Sequence, residues 1–200
     1  MRPTVRRLAV STAAVALTGV LAACSGTSTN VAPGMDGHGM SSTAGSASPA
    51  TARAGDVMFA QMMIPHHEQA VEMSEIALAT SDASDEVRQL ATEIKQAQDP
   101  EIRTMEGWLK AWGASTTPSG MDHGAMGSGM MSDADMSALD QASGAAFDQK
   151  WVSMMIDHHE GAIDMARQVL ATTEDPEVKT MADAIVEAQT AEISRMRSLS

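Results

Sequence analysis

Hydrophobic and polar positions divide this chain into three regimes. Leu8 to Val20 is a short apolar run. From Ser25 to about Ala54 the chain is Ser, Thr, Gly, Ala and Pro without a period, which reads as a flexible tether. From Gly55 onward apolar residues recur at the spacing of amphipathic helices. This periodic part is written twice. A shift of ninety-two residues places Asp56 on Asp148, Phe59 on Trp151, Met62-Met63 on Met154-Met155, His66-His67-Glu68 on His158-His159-Glu160, Met73 on Met165 and Leu78 on Leu170. One residue is then lost in a turn. A shift of ninety-one places Val87 on Val178, Ile94 on Ile185, Ala97-Gln98 on Ala188-Gln189, Glu101-Ile102 on Glu192-Ile193 and Met105 on Met196. About fifty residues per copy correspond, which is the signature of an internal duplication.

Each copy predicts a helical hairpin. In the second, Thr172 to Pro176 breaks one helix and starts the next, with Asp175 as N-cap and Pro176 at N1. Thr80 to Asp85 does the same in the first. Pro65 and Pro100 fall inside helical patterns, where each removes a backbone hydrogen bond. Their counterparts are Asp157 and Ala191, so kinks are expected there and not helix ends. Between the hairpins, residues 113–133 carry no core pattern but can cross the length of a bundle. The fold class expected is therefore all-α: a four-helix bundle of two duplicated hairpins, residues 55–112 and 134–200, joined by a long crossover.

Composition changes this picture in two ways. Arg2, Arg6 and Arg7, the apolar run and Leu21-Ala22-Ala23-Cys24 have the layout of a secretory signal over residues 1–23, too short to span a membrane. Cys24, the single cysteine, stands where a lipobox needs it, so a lipid-anchored exported protein is expected. Loss of that leader leaves ten of thirteen basic residues against twenty-six acids, a formal charge of −16, which disfavours nucleic-acid partners. The second change is methionine: eighteen in 200 residues, beside two Phe, three Trp and no Tyr.

The methionines accompany the histidines. At about 100° per residue, Phe59, Met62, Ala70, Met73 and Ala77 share the face of His66. His67 lies about 100° round with Met63, Val71, Ser74 and Leu78, while Gln61, Glu68, Glu72 and Glu75 point the other way. The second copy puts His158, His159, Met154, Met155 and Met165 inside, and Asp157, Glu160, Asp164 and Gln168 outside. Met62 with His66, and Met63 with His67, are i,i+4 pairs one turn apart. A single histidine on such a face is ordinarily a hydrogen-bonded core residue. Four at duplicated positions, each with Met one turn earlier, favour a metal role. Thioether with neutral imidazole suits Cu(I), and imidazole also serves Cu(II) and zinc; zinc fits less well because thiolates are missing. Met105 and Met196 read as packing, and Asp56 and Asp148 as N-caps or early-turn acids. Met35, His38 and Met40, and again Met121, His123 and Met126, lie in Gly-rich stretches with no core to fill, which points to flexible capture of a soft metal.

The motif Met-Ile-x-His-His-x-x-Ala-[Val/Ile]-x-Met, present at Met63 to Met73 and at Met155 to Met165, resembles the signature of the domain-of-unknown-function family 305. The resemblance covers roughly Gly55 to Leu199. It implies a ferritin-like four-helix bundle outside the cytoplasm, with some members associated with copper binding and resistance. By motif position it carries a metal role to His66, His67, Met73, His158, His159 and Met165, and more loosely to Met62, Met63, Met154 and Met155. The function expected is a copper-binding lipoprotein that sequesters or passes on the metal, with copper-handling proteins as partners. Two other readings stand beside it, a ferritin-like metal oxidase and a metal-free interaction module. Neither Glu-x-x-His nor His-Glu-x-x-His occurs, so no enzyme is expected.

Overall fold

The computed structural model describes residues 49–117 and 129–199. The leader, Cys24, most of the tether and the loop residues Met35, His38, Met40, Met121, His123 and Met126 lie outside the described residues. Five helices follow in order: α1 Pro49–Ala79, α2 Asp85–Trp112, α3 Asp133–Asp140, α4 Gly144–Leu170 and α5 Pro176–Arg197. α1, α2, α4 and α5 form the four-helix bundle. α2 packs along α1 and α5 along α4, and the two hairpins meet through α1 and α4. These central helices run antiparallel: Gly55 lies against Thr172 at one end, and Trp151 Nε1 donates to the Met73 carbonyl at 3.0 Å toward the other. Among the described residues no helix is long and apolar enough to cross a membrane.

The helix ends follow local chemistry. Asp175 caps α5 by accepting from the Glu177 and Val178 amides, with Pro176 at the first position. Ser84 caps α2, and Asp148 of the other hairpin accepts from the Ser84 amide at 3.1 Å. Gly113 closes α2 with φ 68°, a left-handed turn that lets its amide reach back to the last carbonyls. Both α1 and α2 run through their prolines, Pro65 and Pro100, without ending.

Three expectations need correction. α1 begins at Pro49, six residues before the expected Gly55 boundary, so the end of the tether is helical. Asp56 is consequently no N-cap or early-turn acid of α1; it is buried inside the helix, 3.8 Å from Arg53, whose guanidinium also pairs with Asp175 at 3.1 Å. Asp148, in the second turn of α4, is an early-turn acid as expected, and it accepts from the amide of the α2 cap. Finally, the second repeat, expected over residues 134–200 as two helices, begins with an additional short helix, α3, ahead of α4. A reciprocal capping box between Ser132 and Asp135 starts this helix, and the fully buried Leu139 anchors it on the bundle. Just upstream, the Gln69 side chain grips the Met131 peptide, donating to its carbonyl at 2.9 Å and accepting from its amide at 2.7 Å. Gly129, at φ 94°, passes so close to α4 that a Cβ there would lie 2.6 Å from the Asp157 carbonyl oxygen.

The core falls into two apolar clusters. On α1, Phe59 to Ile64 belong to one and Ala70 to Ala77 to the other, and the division falls at His66-His67. On α4 it falls at His158-His159, with Ile163 alone crossing over. On α2 the clusters part between Ile94 and Met105, and on α5 between Ile185 and Ile193. All four helices change cluster at one level, and polar residues occupy it.

Candidate metal centre

The polar level is built by four helices. α1 supplies His66 and His67, α4 supplies His158 and His159, and all four imidazoles are at most 1% exposed. The flanking helices supply Gln98 and Glu101 from α2, and Gln189 and Glu192 from α5. Burying so many polar groups in one layer costs stability unless each finds a partner, and the partners found are informative.

The inner histidines meet across the α1–α4 interface. The rings of His66 and His158 lie 3.7 Å apart between centroids, tilted by 40°. His159 is 6.4 Å from His158 on the same criterion. Burial pushes the His158 pKa well below its ordinary value, with the neighbouring His66, His159 and His67 adding to that and a hydrogen bond to the His66 backbone partly offsetting it. The ring is therefore neutral near pH 7, the form in which imidazole binds metal.

Each outer histidine is held by a carboxylate from its own hairpin. His67 Nε2 lies 2.8 Å from Glu101 Oε2, and His159 Nε2 lies 2.8 Å from Glu192 Oε2. A carboxylate accepts and does not donate, so in the neutral ring Nε2 carries the proton and Nδ1 is the nitrogen with the lone pair. Both Nδ1 atoms are buried and without a hydrogen bond. A carboxylate on one ring nitrogen and a free lone pair on the other is how metal-ligating histidines are oriented and made more basic. The buried Oε1 atoms of Gln98 and Gln189 also lack partners.

The ten histidines and methionines assigned from the sequence do not form one compact shell. Met63 and Met155, one turn before His67 and His159, are fully buried above and below the imidazole layer. Met73 and Met154 sit in the cluster that also holds Phe147 and Trp151. Met62 and Met165 line a cavity at the opposite end of α1 and α4. Among the described residues no three His, Cys, Asp or Glu side chains converge to hold a metal. His67 and His159 each have a thioether one turn away, Met63 and Met155, a donor pairing that suits a soft ion.

Gln98, Glu101, Gln189 and Glu192 are the residues of the layer that sequence reasoning did not assign. Their signal was present: both pairs coincide under the ninety-one-residue shift, and each carries a side chain that is out of place on an apolar helix face.

Residues 56–200 match the family described as domain of unknown function, DUF305. A DUF305 protein from Streptomyces coelicolor, described as presumed secreted, is 35% identical with a TM-score of 0.67, covering 74% of this chain and 91% of that one. A DUF305 fragment from Deinococcus radiodurans is 32% identical with a TM-score of 0.66, covering 72% and 94%. CopM in its Cu(I)-bound form is 33% identical with a TM-score of 0.60, covering 72% and 94%; its Cu(II)-bound, Ag-bound and apo forms match as well. Among curated proteins none matches the sequence.

Proposed function

The chain belongs to the DUF305 family, and on that premise we propose that it is an exported copper-binding protein, anchored through Cys24, that holds the ion in the imidazole layer of its bundle. The observation that carries this reading is the pair of buried, unpartnered Nδ1 atoms on His67 and His159, each fixed by a carboxylate on the other ring nitrogen. Leaving two such acceptors unsatisfied costs about 1–3 kcal/mol each. A bound cation removes that cost. The copper-bound forms of CopM, with which the chain shares its fold, support the identity of the metal.

The residues have separate tasks. His67 and His159 offer Nδ1 to the ion, and Glu101 and Glu192 keep the rings turned inward. His66 and His158 pack ring against ring between the hairpins and close the layer beside them. Met63 and Met155 add thioethers that favour Cu(I) over harder ions. The surrounding apolar clusters exclude water, which protects a bound Cu(I) from oxidation by solvent-borne species. Glu101 and Glu192, the carboxylates that reach the layer among the described residues, are held by imidazoles, which supports binding as the role. The crossover segment with Met121, His123 and Met126, and the tether segment with Met35, His38 and Met40, offer further thioethers and imidazoles for capture of the ion. Sequestration or delivery to another copper-handling protein follows from such an arrangement.

Titration of the protein with Cu(I) against a chromophoric chelator tests the proposal. The protein is expected to compete at micromolar metal, and a variant with His66, His67, His158 and His159 all replaced by Ala is expected to lose its tightest site. An unchanged affinity in a folded quadruple variant would overturn the assignment.

A further inference from the structure

Pseudo-symmetry makes the two ends of the α1–α4 pair comparable, and they are not alike. At one end Phe147, Trp151, Met154 and Met73 are buried in a closed cluster, covered by α3 with Met131 and Met136 packed against it. At the other end the repeat equivalents of Phe147, Met154 and Met73 are Gly55, Met62 and Met165. Glycine stands where phenylalanine fills the core, and a cavity of about 250 Å³ opens there. Met58 takes the position that is Lys150 in the second copy, so this end gains a third methionine. Met58, Met62 and Met165 all line the cavity. Met58 is 45% exposed, so the cavity is open to solvent at this sulfur.

We propose that Met58, Met62 and Met165 form a second, solvent-accessible site for a monovalent soft metal ion, Cu(I) or Ag(I), present in one half of the duplication only. Met58 and Met62 are one helical turn apart on α1 and project into the same cavity that Met165 enters from α4. Three neutral thioethers bind a soft monovalent ion without releasing a proton, and no carboxylate, imidazole or thiolate lines the cavity to attract a harder ion. Its polar lining is limited to the Gln168 amide and the Thr172 hydroxyl. Met62 is also one turn from His66, so the cavity adjoins the buried layer along α1. The ion's identity rests on the copper reading above; the site does not, because it uses no residue of the imidazole layer.

The test is Ag(I) titration of the protein labelled with 13C-methyl methionine, with Met58→Leu assigning its own resonance. Wild type is expected to show the Met58, Met62 and Met165 methyl resonances moving together. Met58→Leu and the cavity-filling Gly55→Phe are each expected to bind one silver ion fewer. The Gly55 Cβ position is only in ordinary contact with Thr172 Oγ1 at 3.5 Å, so a side chain can start there, and Gly55→Phe removes no sulfur from the chain. A Met58 resonance that Ag(I) leaves unmoved, or an unchanged silver stoichiometry in both variants, would overturn the site. In that case a loss of binding in His67→Ala/His159→Ala would still uphold the buried centre. Movement of Met58 with no effect of the histidine double variant would uphold the cavity site and sink the buried one.

Discussion

Replacing Glu101 tests the imidazole layer through a residue that does not itself touch the metal in the proposed arrangement. Glu101 holds His67 at 2.8 Å, and the ring it holds is 0% exposed. Gln at this position keeps an acceptor of the same size but removes the charge. Leu removes both and leaves a buried N–H without a partner. Loss of such an outer-shell carboxylate lowers metal affinity by about 10–100-fold, or about 1.4–2.7 kcal/mol. Glu101→Gln is therefore expected to weaken Cu(I) binding about tenfold, and Glu101→Leu by nearer a hundredfold. Glu192→Gln and Glu192→Leu should match them, because His159 is held at the same distance. The assay is competition against a chromophoric Cu(I) chelator at fixed pH, with thermal unfolding of the metal-free variants alongside. Glu101→Leu should also cost the metal-free fold about 1–3 kcal/mol through the unsatisfied donor. Affinities within about twofold of wild type in folded Glu101→Leu and Glu192→Leu proteins would refute the reasoning.

Further expectations concern stability. His158 is held well below its ordinary value of 6.5, chiefly by burial, so the unfolded chain takes up a proton before the folded one does. Its contribution is complete above that value and is lost as pH falls below it, by at most about 1.4 kcal/mol per pH unit; urea unfolding of metal-free protein between neutral and mildly acidic pH should show this slope, and a flat profile would contradict it. Gly129→Ala should lower stability by about 1–3 kcal/mol, since the positive φ and the Asp157 carbonyl both resist a Cβ; a thermal midpoint equal to wild type would mean the crossover does not sit on α4. Leu139→Ala should cost about 2–5 kcal/mol in chemical denaturation, and a loss under about 1 kcal/mol would show that α3 is not docked.

The duplication made most of the bundle readable, because two copies of one apolar pattern filter out chance. The inward direction of all four histidines and the outward direction of Glu68, Glu72, Glu160 and Asp164 followed from helical geometry alone. Elements outside the duplication were harder to see. α3 has a single buried residue, Leu139, too little for a periodic signal, and its start depends on an Asp at N3 and not the more familiar Glu or Gln. The first turns of α1 are exposed wherever their side chains are described, so composition there resembled the tether. Gln98, Glu101, Gln189 and Glu192 were passed over for a different reason. Glu and Gln on a helix are ordinarily solvated, and only the assembled bundle shows that these four stand at the level of the histidines.

The contact between His66 and His158 joins one residue to its own repeat equivalent. Such contacts arise on a two-fold axis, where the surface a unit offers is also the surface it needs. A hairpin carrying this face is complementary to a second copy of itself, so the bundle has the form of a symmetric dimer whose subunits were joined by the crossover. Fusion is what allowed the ends to diverge: once both halves lay on one chain, Gly55 and Phe147 no longer had to be the same residue.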